Sequence, residues 1–506
     1  MRCHLPPTAP SARPRAIRHR VAAALTAAAL ALQSLAPGAV AAQGLPDLGD
    51  ESQSMITPAQ ERKLGESIVR QIRASGAYLE DPEVNDYLNE LGYRLVAAGN
   101  DSRQDFDFFA VADPSVNAFA LPGGFIGVHM GLILLAQSES ELASVLAHEI
   151  THVTQRHLTR SAVGSQRSIL YSLAALAVAA LAARSNSSSA GDMASAAIAS
   201  AQALSIQSQL NYTREHEFEA DRIGFSRLAT AGFDPNSMAT FMGRLQRSAR
   251  FVEGSAPSYL RTHPITYERI AEAQGRSDGL PYRQVPDSLD FNLVRALLRS
   301  YAGTPAEAVQ AFDAALIDQK YNSELATRYG RVAALVRADR LPAAREEFAR
   351  VEKDAPPHPM IAAMGAHVYK ASGDYPEALR RFEAALAKYP NKMQLVQDYP
   401  ETLLKAGRAK DAVAFLEPQM KRFPDNGLLH RIAAEAYAGL GKRMQQHHHQ
   451  AEYYAWRGDL RGAVVQLELA LKANDGDFYD YSVVETRLKA MRRDLAEQQA
   501  AAAKTG

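Results

Sequence analysis

Two histidines separated by three residues are the feature of this sequence that most clearly indicates chemistry. The stretch His148-Glu149-Ile150-Thr151-His152 fits the pattern H-E-x-x-H, which places both imidazoles one turn apart on one face of a helix. Both can then bind a single zinc ion, while Glu149 can take a proton from a water molecule that attacks a carbonyl. The alternative is a solvated helix with two histidines by chance, since such a short pattern also occurs without function.

A catalytic zinc ion needs a third protein ligand and keeps its fourth position for water. The extended motif requires a glycine three residues and a histidine six residues after His152, but this chain has glutamine and leucine there. A later glutamate is therefore expected, and the predicted helix with Glu217 and Asp221 offers one. These two lie one turn apart, so one can bind zinc while the other orients a histidine. Glu219 is expected to point away and to be exposed.

The elements around these residues predict an α+β domain. Short aromatic and β-branched segments between residues 105 and 128, broken by Asp-Pro and Pro-Gly-Gly, predict a small sheet. Ser138 with Glu141 three residues later is a capping box, which opens a helix expected to run to about Arg160. Helical spacing of apolar residues before and after these segments predicts that the rest of the domain is mainly α-helical.

The C-terminal part of the chain shows an internal repeat. Ala344, Ala378 and Ala412 are 34 residues apart, and an aromatic or leucine residue and a proline follow each of them at constant distances. This is the pattern of a 34-residue helix–turn–helix and resembles the tetratricopeptide repeat. We therefore predict a metal-binding domain over residues 43–285 and an all-α solenoid over residues 286–500, whose concave face can bind other proteins.

Residues 1–42 have the composition of an export signal. Arginines without any acidic residue precede an Ala/Leu-rich stretch, and an A-x-A-like site ends at Ala41. Cleavage would remove Cys3, the only cysteine, and would turn a chain without net charge into a mildly acidic one. We therefore expect a periplasmic protein that is soluble after cleavage, with an uncleaved anchor as the alternative. Neither a disulfide scaffold nor a nucleic-acid partner is expected.

Residues 164–210 are the segment with two open interpretations. Residues 169–183 form an Ala-rich apolar run of fifteen residues, which is shorter than the roughly twenty needed to cross a bilayer. A buried or hairpin helix is one interpretation. The other is a mobile segment that gates the substrate or makes a peripheral contact with the membrane.

The combination of H-E-x-x-H with Glu217-x-x-x-Asp221 resembles the zinc peptidase family that includes the CAAX prenyl proteases and the HtpX-type membrane proteases. The resemblance implies a zincin-type peptidase domain. It also implies that His148, His152 and Glu217 bind one Zn²⁺ per subunit and that Glu149 is the general base. Asp221 would then act as a catalytic carboxylate, either by supporting a ligand or by donating a proton.

Two further segments fit the same resemblance. The stretch Asn117-Ala118-Phe119-Ala120 is similar to the edge strand on which this family binds an extended substrate peptide. In the stretch Thr262 to Arg269, the resemblance makes His263 a fourth zinc ligand that keeps the enzyme latent, and it places Arg269 near the zinc site. The alternatives are a histidine in a surface turn and an arginine with a structural role.

Export signal, peptidase domain and repeats together resemble the exported members of this family that act in the quality control and assembly of outer-membrane proteins. The resemblance implies a zinc metalloendopeptidase that hydrolyses misassembled or misfolded envelope proteins and has a chaperone-like role. Its partners would be outer-membrane β-barrel proteins and their assembly machinery, bound through the repeats. The alternative is a repeat-based chaperone or scaffold with latent protease activity.

Overall fold

The structure, a computed structural model, describes residues 57–99, 104–162, 214–250, 258–280 and 284–503. The predicted export signal and the apolar run at 169–183 lie outside these ranges. Within them the chain is mainly α-helical with a three-stranded sheet, followed by paired helices, which confirms the predicted fold class. None of the described helices has both the length and the apolar character needed to span a membrane.

Two helices precede the sheet, α1 (Pro58–Ala74) and α2 (Pro82–Ala97). Each begins with a proline that follows a capping side chain, Thr57 for α1 and Asp81 for α2. Proline suits this position because its missing N–H would have no partner in the first turn of a helix. Both helices bury an apolar face against the sheet, and α2 also packs on the helix with the H-E-x-x-H motif.

The sheet contains β1 (Asp107–Val111), β2 (Ala118–Leu121) and β3 (Phe125–His129). Its strand order is β1-β3-β2, with β3 parallel to β1 and antiparallel to β2, so that β2 forms one edge. The β2–β3 turn uses Gly123 and Gly124, both with positive φ. A Cβ on Gly124 would lie 2.1 Å from the carbonyl oxygen of Asp105, so only glycine fits there.

The helix with the H-E-x-x-H motif follows the sheet. After the short α3 (Met130–Leu135), α4 (Glu139–Thr154) begins where predicted, with the Ser138 side chain accepting a hydrogen bond from the Glu141 N–H. The predicted single helix is interrupted, however, because Arg156 has a φ of 51° and ends α4 before α5 (His157–Ala162) begins. A left-handed residue stops the regular helix and changes the chain direction.

Four helices complete the N-terminal domain, by which we mean the described residues up to 280. They are α6 (Arg214–Thr230), α7 (Asn236–Arg250), α8 (Ser258–Thr262) and α9 (Tyr267–Ser277). Helix α6 lies close along α4 at Gly224, where a Cβ would be only 3.2 Å from the Ala147 backbone. This close approach brings the acidic residues of α6 to the histidines of α4.

The remaining helices form antiparallel pairs, which we call the repeat array. The alanines and aromatic residues of the 34-residue pattern are buried between helices; Ala344, Ala378 and Phe382, for example, have no exposed surface. The array consists of α10 (Leu289–Ser300), α11 (Pro305–Ile317), α12 (Glu324–Arg337), α13 (Leu341–Asp354), α14 (Pro359–Ala371), α15 (Tyr375–Lys388), α16 (Met393–Lys405), α17 (Ala409–Arg422), α18 (Gly427–Gly439), α19 (Arg443–Trp456), α20 (Leu460–Leu471) and α21 (Phe478–Ala503).

The N-terminal domain and the repeat array touch at several places along the array. At its start, Asp287 accepts a hydrogen bond from the Glu139 N–H at 2.7 Å, while the Ser288 hydroxyl donates to the Glu139 carboxylate at 2.6 Å. The N-terminal end of α4 and the N-terminal end of the first helix of the array thus cap each other. Near its end, the Arg73 guanidinium lies between the rings of Tyr78 and Trp456, 4.4 and 4.3 Å from their centres.

Candidate metal centre

Helix α4 presents its two histidines to the first turn of α6. The Nε2 atoms of His148 and His152 are 2.9 Å apart, and Glu217 Oε1 lies 3.4 Å from His152 Nε2. All three side chains are buried. The structure therefore brings together the three side chains that the sequence predicts to bind the metal, although their role as ligands stays a prediction.

His263, which follows α8, completes the cluster. Its Nδ1 atom lies 3.3 Å from His148 Nε2 and 3.1 Å from Glu217 Oε1, and its side chain is only 1% exposed. A histidine in a surface turn does not describe this position. The sequence alternative for His263 is therefore not supported by its burial.

The spacing of these four donor atoms allows all of them to bind one metal ion. Neighbouring atoms of His148, His152, Glu217 and His263 are 2.9–3.4 Å apart, and all four lie within 4.8 Å of one another. Four ligands at zinc bond lengths around one centre are about 3.3 Å from each other. Three imidazoles and a carboxylate are also donors that such an ion accepts.

Glu149 lies beside this cluster and is fully buried. Its carboxylate lies near the Ala120 backbone, and His263 Nε2 is 3.5 Å from its Oε1 atom. Burial raises the pKa of Glu149, while the charges of His263 and His148 and the nearby Ala120 backbone oppose that rise. A buried carboxylate can accept a proton from a reacting group.

Asp221 and Arg269 support His148 from behind. Asp221 Oδ1 accepts a hydrogen bond from His148 Nδ1 at 2.9 Å, and Arg269 donates to both oxygens of Asp221 at 2.7 and 2.9 Å. Burial raises the pKa of Asp221, but the hydrogen bond from His148 and the charge of Arg269 outweigh it and lower that pKa. Of the two roles left open for Asp221, this geometry fits orientation of His148.

Arg269 also pairs with a candidate ligand. Its Nη1 atom lies 2.6 Å from Glu217 Oε2 and donates to the Pro264 carbonyl at 2.7 Å. Burial raises the pKa of Glu217, yet the charge of His263 and hydrogen bonds from His152 and His263 hold it well below its usual value. Arg269 is thus a buried cation that contacts two carboxylates of the site.

His152 has a support that the sequence did not predict. Its Nδ1 atom faces Nδ1 of His157 at 2.9 Å, and His157 Nε2 lies 3.0 Å from Glu219 Oε2. Glu219 also pairs with Arg160 at 3.0 Å, so this carboxylate is partly exposed as expected but is not freely solvated. Burial lowers the pKa of His157 to about 4. The helix break at Arg156, which the sequence pattern did not reveal, makes this arrangement.

The predicted edge strand lies beside the metal helix, since β2 packs on α4. The carbonyl of Asn117 accepts a hydrogen bond from the His129 N–H at 2.9 Å. Because hydrogen-bonded pairs alternate in antiparallel strands, the backbone groups of Ala118 and Ala120 point away from β3. Phe119 lies between them and pairs with Gly127. An extended peptide could therefore add to this edge as a further strand.

Tyr259 of α8 was also missed by the sequence. Its ring stacks on His263 with centres 4.7 Å apart, and its N–H donates to the Val116 carbonyl at 3.2 Å. Burial raises the pKa of Tyr259 well above the usual value, so the phenol stays protonated. No spacing rule connects Tyr259 to Val116, so the sequence alone does not place it at the site.

Comparison with known proteins shows two family matches. Residues 82–277 match peptidase family M48, and residues 369–436 match the tetratricopeptide repeat. The chain belongs to the beta-barrel assembly-enhancing proteases of peptidase family M48, as the similarity to two curated relatives shows. It is therefore a metallopeptidase with C-terminal repeats, and the predicted family and enzyme class are confirmed.

Both relatives carry the name beta-barrel assembly-enhancing protease. The protein from Vibrio cholerae is 36% identical over 433 residues, which is 85% of this chain and 85% of the relative. The protein from Escherichia coli is 32% identical over 449 residues, or 88% of this chain and 90% of the relative. A mitochondrial metalloendopeptidase of Schizosaccharomyces pombe is 32% identical over 199 residues, covering 39% of this chain and 54% of its own length.

Proposed function

We propose that this protein is a periplasmic zinc endopeptidase that cleaves misassembled or misfolded envelope proteins, with outer-membrane β-barrel proteins among its substrates. The observation that carries the proposal is the buried set of three imidazoles and one carboxylate, whose donor atoms lie within 4.8 Å of one another, beside the buried carboxylate of Glu149. The names of the relatives support the substrate class. The composition of residues 1–42 supports export.

In this proposal His148, His152 and Glu217 hold one Zn²⁺. Bound zinc supplies Lewis-acid polarisation of the scissile carbonyl and makes water more acidic. Glu149 takes the proton of the attacking water and delivers it to the leaving amine, a task for which its raised pKa is suited. The open edge of β2 fixes the register of the substrate backbone.

His263 gives the enzyme a latent state. Its Nδ1 atom lies in the fourth position of the donor set, which a catalytic site must leave open. The same α8 segment covers the start of β2 through the contact between Tyr259 and Val116. Activity therefore requires this segment to withdraw from the site.

The repeat array is the second functional part of the proposal. Tetratricopeptide repeats offer an extended surface for binding proteins, and we assign them the capture of substrates or of the assembly machinery. The occupied fourth position favours one alternative, in which the protein works mainly as a chaperone and cleaves rarely. Both functions use the same array.

Glu149→Gln is the variant that tests the proposal, because it removes the base and keeps the shape. We expect proteolysis of an unfolded β-barrel protein to fall at least about 100-fold while the variant keeps one equivalent of zinc. Co-purification on this variant should recover envelope proteins. Glu485→Gln, at an exposed glutamate of the repeat array, is the control and should cleave normally.

Three results would contradict parts of the proposal. Purified protein without stoichiometric zinc would exclude the metal centre. A Glu149→Gln strain with full cellular function would favour the chaperone alternative. Mature protein that retains residues 1–42 and fractionates with the cytoplasm would exclude the periplasmic role.

A further inference from the structure

We propose that His157 and Glu219 are positioning residues that hold His152 in the tautomer and orientation needed to bind the metal. The inference rests on the proposed zinc centre and concerns residues that neither the H-E-x-x-H motif nor the Glu217-x-x-x-Asp221 motif contains. It starts from the contact of two imidazole nitrogens, Nδ1 of His152 and Nδ1 of His157, which are 2.9 Å apart.

The direction of this hydrogen bond follows from the donor set. His152 turns Nε2 toward His148 and Glu217, so that Nε2 needs its lone pair for a metal ion. The proton of the neutral ring is then on Nδ1, and His157 Nδ1 must accept it. The proton of His157 is consequently on Nε2, which faces Glu219 Oε2 at 3.0 Å. Each contact fixes the tautomer of the next ring.

The backbone is shaped to make this contact. In an uninterrupted helix, residue 157 would lie about 140° round the axis from His152 and could not reach its ring. The left-handed conformation of Arg156 turns the chain back, and Glu61 of α1 holds the Arg156 guanidinium at 2.8 Å. Glu61 also accepts a hydrogen bond from Thr159. The break is thus anchored on both sides of His157.

The carboxylate that supports His152 is more exposed to solvent than the one that supports His148. Asp221, which orients His148, is only 9% exposed and is neutralised by Arg269. Glu219, which orients His157, is 34% exposed, and its partner Arg160 is 40% exposed. The His216 ring covers the other side of His157 at 4.4 Å. A surface carboxylate therefore acts on a buried ligand through one intervening imidazole.

Zinc affinity of the full-length protein tests this assignment. His157→Leu removes the acceptor, whereas His157→Asn restores a carbonyl oxygen near the Nδ1 position. We expect His157→Leu to raise the zinc Kd about 10–100-fold in competition with a chromophoric chelator, and His157→Asn to recover most of the loss. Glu219→Gln should weaken zinc binding less, and Glu215→Gln, an exposed carboxylate on the same helix, should leave it unchanged.

The Co²⁺-substituted protein gives a second readout that a purely structural role would not change. We expect the visible absorption bands of His157→Leu to shift, and those of His157→Asn to match the native bands, at equal thermal stability of the metal-free proteins. Native zinc affinity in His157→Leu, or no difference between the Leu and Asn variants, would overturn the inference. Should the Leu variant fail to fold, Glu219→Gln against Glu215→Gln decides it. Absence of zinc binding in the native chain would instead refute the proposed function.

Discussion

The metal centre and the repeat array are both built from buried helix faces, but they differ in how far apart in the sequence the contacting residues lie. The site joins His148 to Asp221 and to His263, 73 and 115 residues away. In the array, partners such as Phe348 and Gly365 belong to neighbouring helices, and Phe312 packs on Gly330 in the same way one repeat earlier. The array can be predicted from the sequence because its contacts are local and repeat at one period. The contacts of the site depend on the packing of the whole N-terminal domain.

Both regions also bury ion pairs, and here they differ in what the pairs do. In the site, Arg269 contacts Asp221 and Glu217 and thereby acts on two groups of the metal centre. In the array, Lys370 contacts Asp398 at 2.7 Å and Glu401 at 2.8 Å and thereby joins α14 to α16. The same chemistry supports function in one region and helix packing in the other.

The largest effect on stability is expected when Arg269 or Lys370 is replaced, each in a separate variant. Arg269→Met leaves two buried carboxylates without a counter-charge and should lower the free energy of unfolding by about 3–5 kcal/mol. Lys370→Met, the matched variant, should also destabilise the protein, by less because Glu401 is partly exposed to water. Only Arg269→Met should weaken zinc binding. Urea unfolding and zinc titration of both variants measure the difference, and equal zinc affinities would show that Arg269 is only structural.

A smaller but more local effect is expected from Phe382→Ala in the array. Phe382 is fully buried between α15 and its neighbours, so the cavity should cost about 3 kcal/mol. Because repeats contact mainly adjacent repeats, hydrogen exchange should accelerate in α14–α16 and stay unchanged in α4. Loss of protection in the metal helix as well would mean that the two regions unfold as one unit.

The same contrast explains what the sequence could predict. The histidines of α4, Glu217 and the cap at Ser138 follow fixed local spacings, and the alanines of the array follow a fixed period. These predictions agree with the structure because helix geometry alone determines them. The contact between α6 and α4 could be expected only from the need for a third ligand.

The supports of the site could not be predicted in the same way. His157 reaches His152 only because Arg156 adopts a left-handed conformation, and that conformation is held by Glu61, 95 residues away. Tyr259 meets His263 and Val116 through the packing of a five-residue helix. No single-sequence periodicity describes such contacts, since tertiary packing determines them.

The smallest effect is expected where the two regions meet, and it depends on pH. Asp86 of α2 accepts a hydrogen bond from the Met393 N–H of α16 at 3.1 Å, and burial raises its pKa to about 6 while Met393 and Lys392 oppose the rise. A carboxyl group with a raised pKa favours the folded state below its unfolded pKa, near 4, and this contribution is lost as pH rises to about 6. Native protein should therefore be less stable than Asp86→Asn at pH 7.5, and the two should become equal near pH 4. The difference at pH 7.5 should be about 1–2 kcal/mol, because water still reaches this half-buried side chain.

Asp398 within the array gives the opposite sign, because His367 and Lys370 lower its pKa despite burial. Asp398→Asn should therefore destabilise the protein at pH 7.5. Thermal unfolding of both variants between pH 4 and 7.5 measures the two slopes. If the stability differences of both variants changed with pH in the same direction, the opposite pKa shifts of Asp86 and Asp398 would be contradicted.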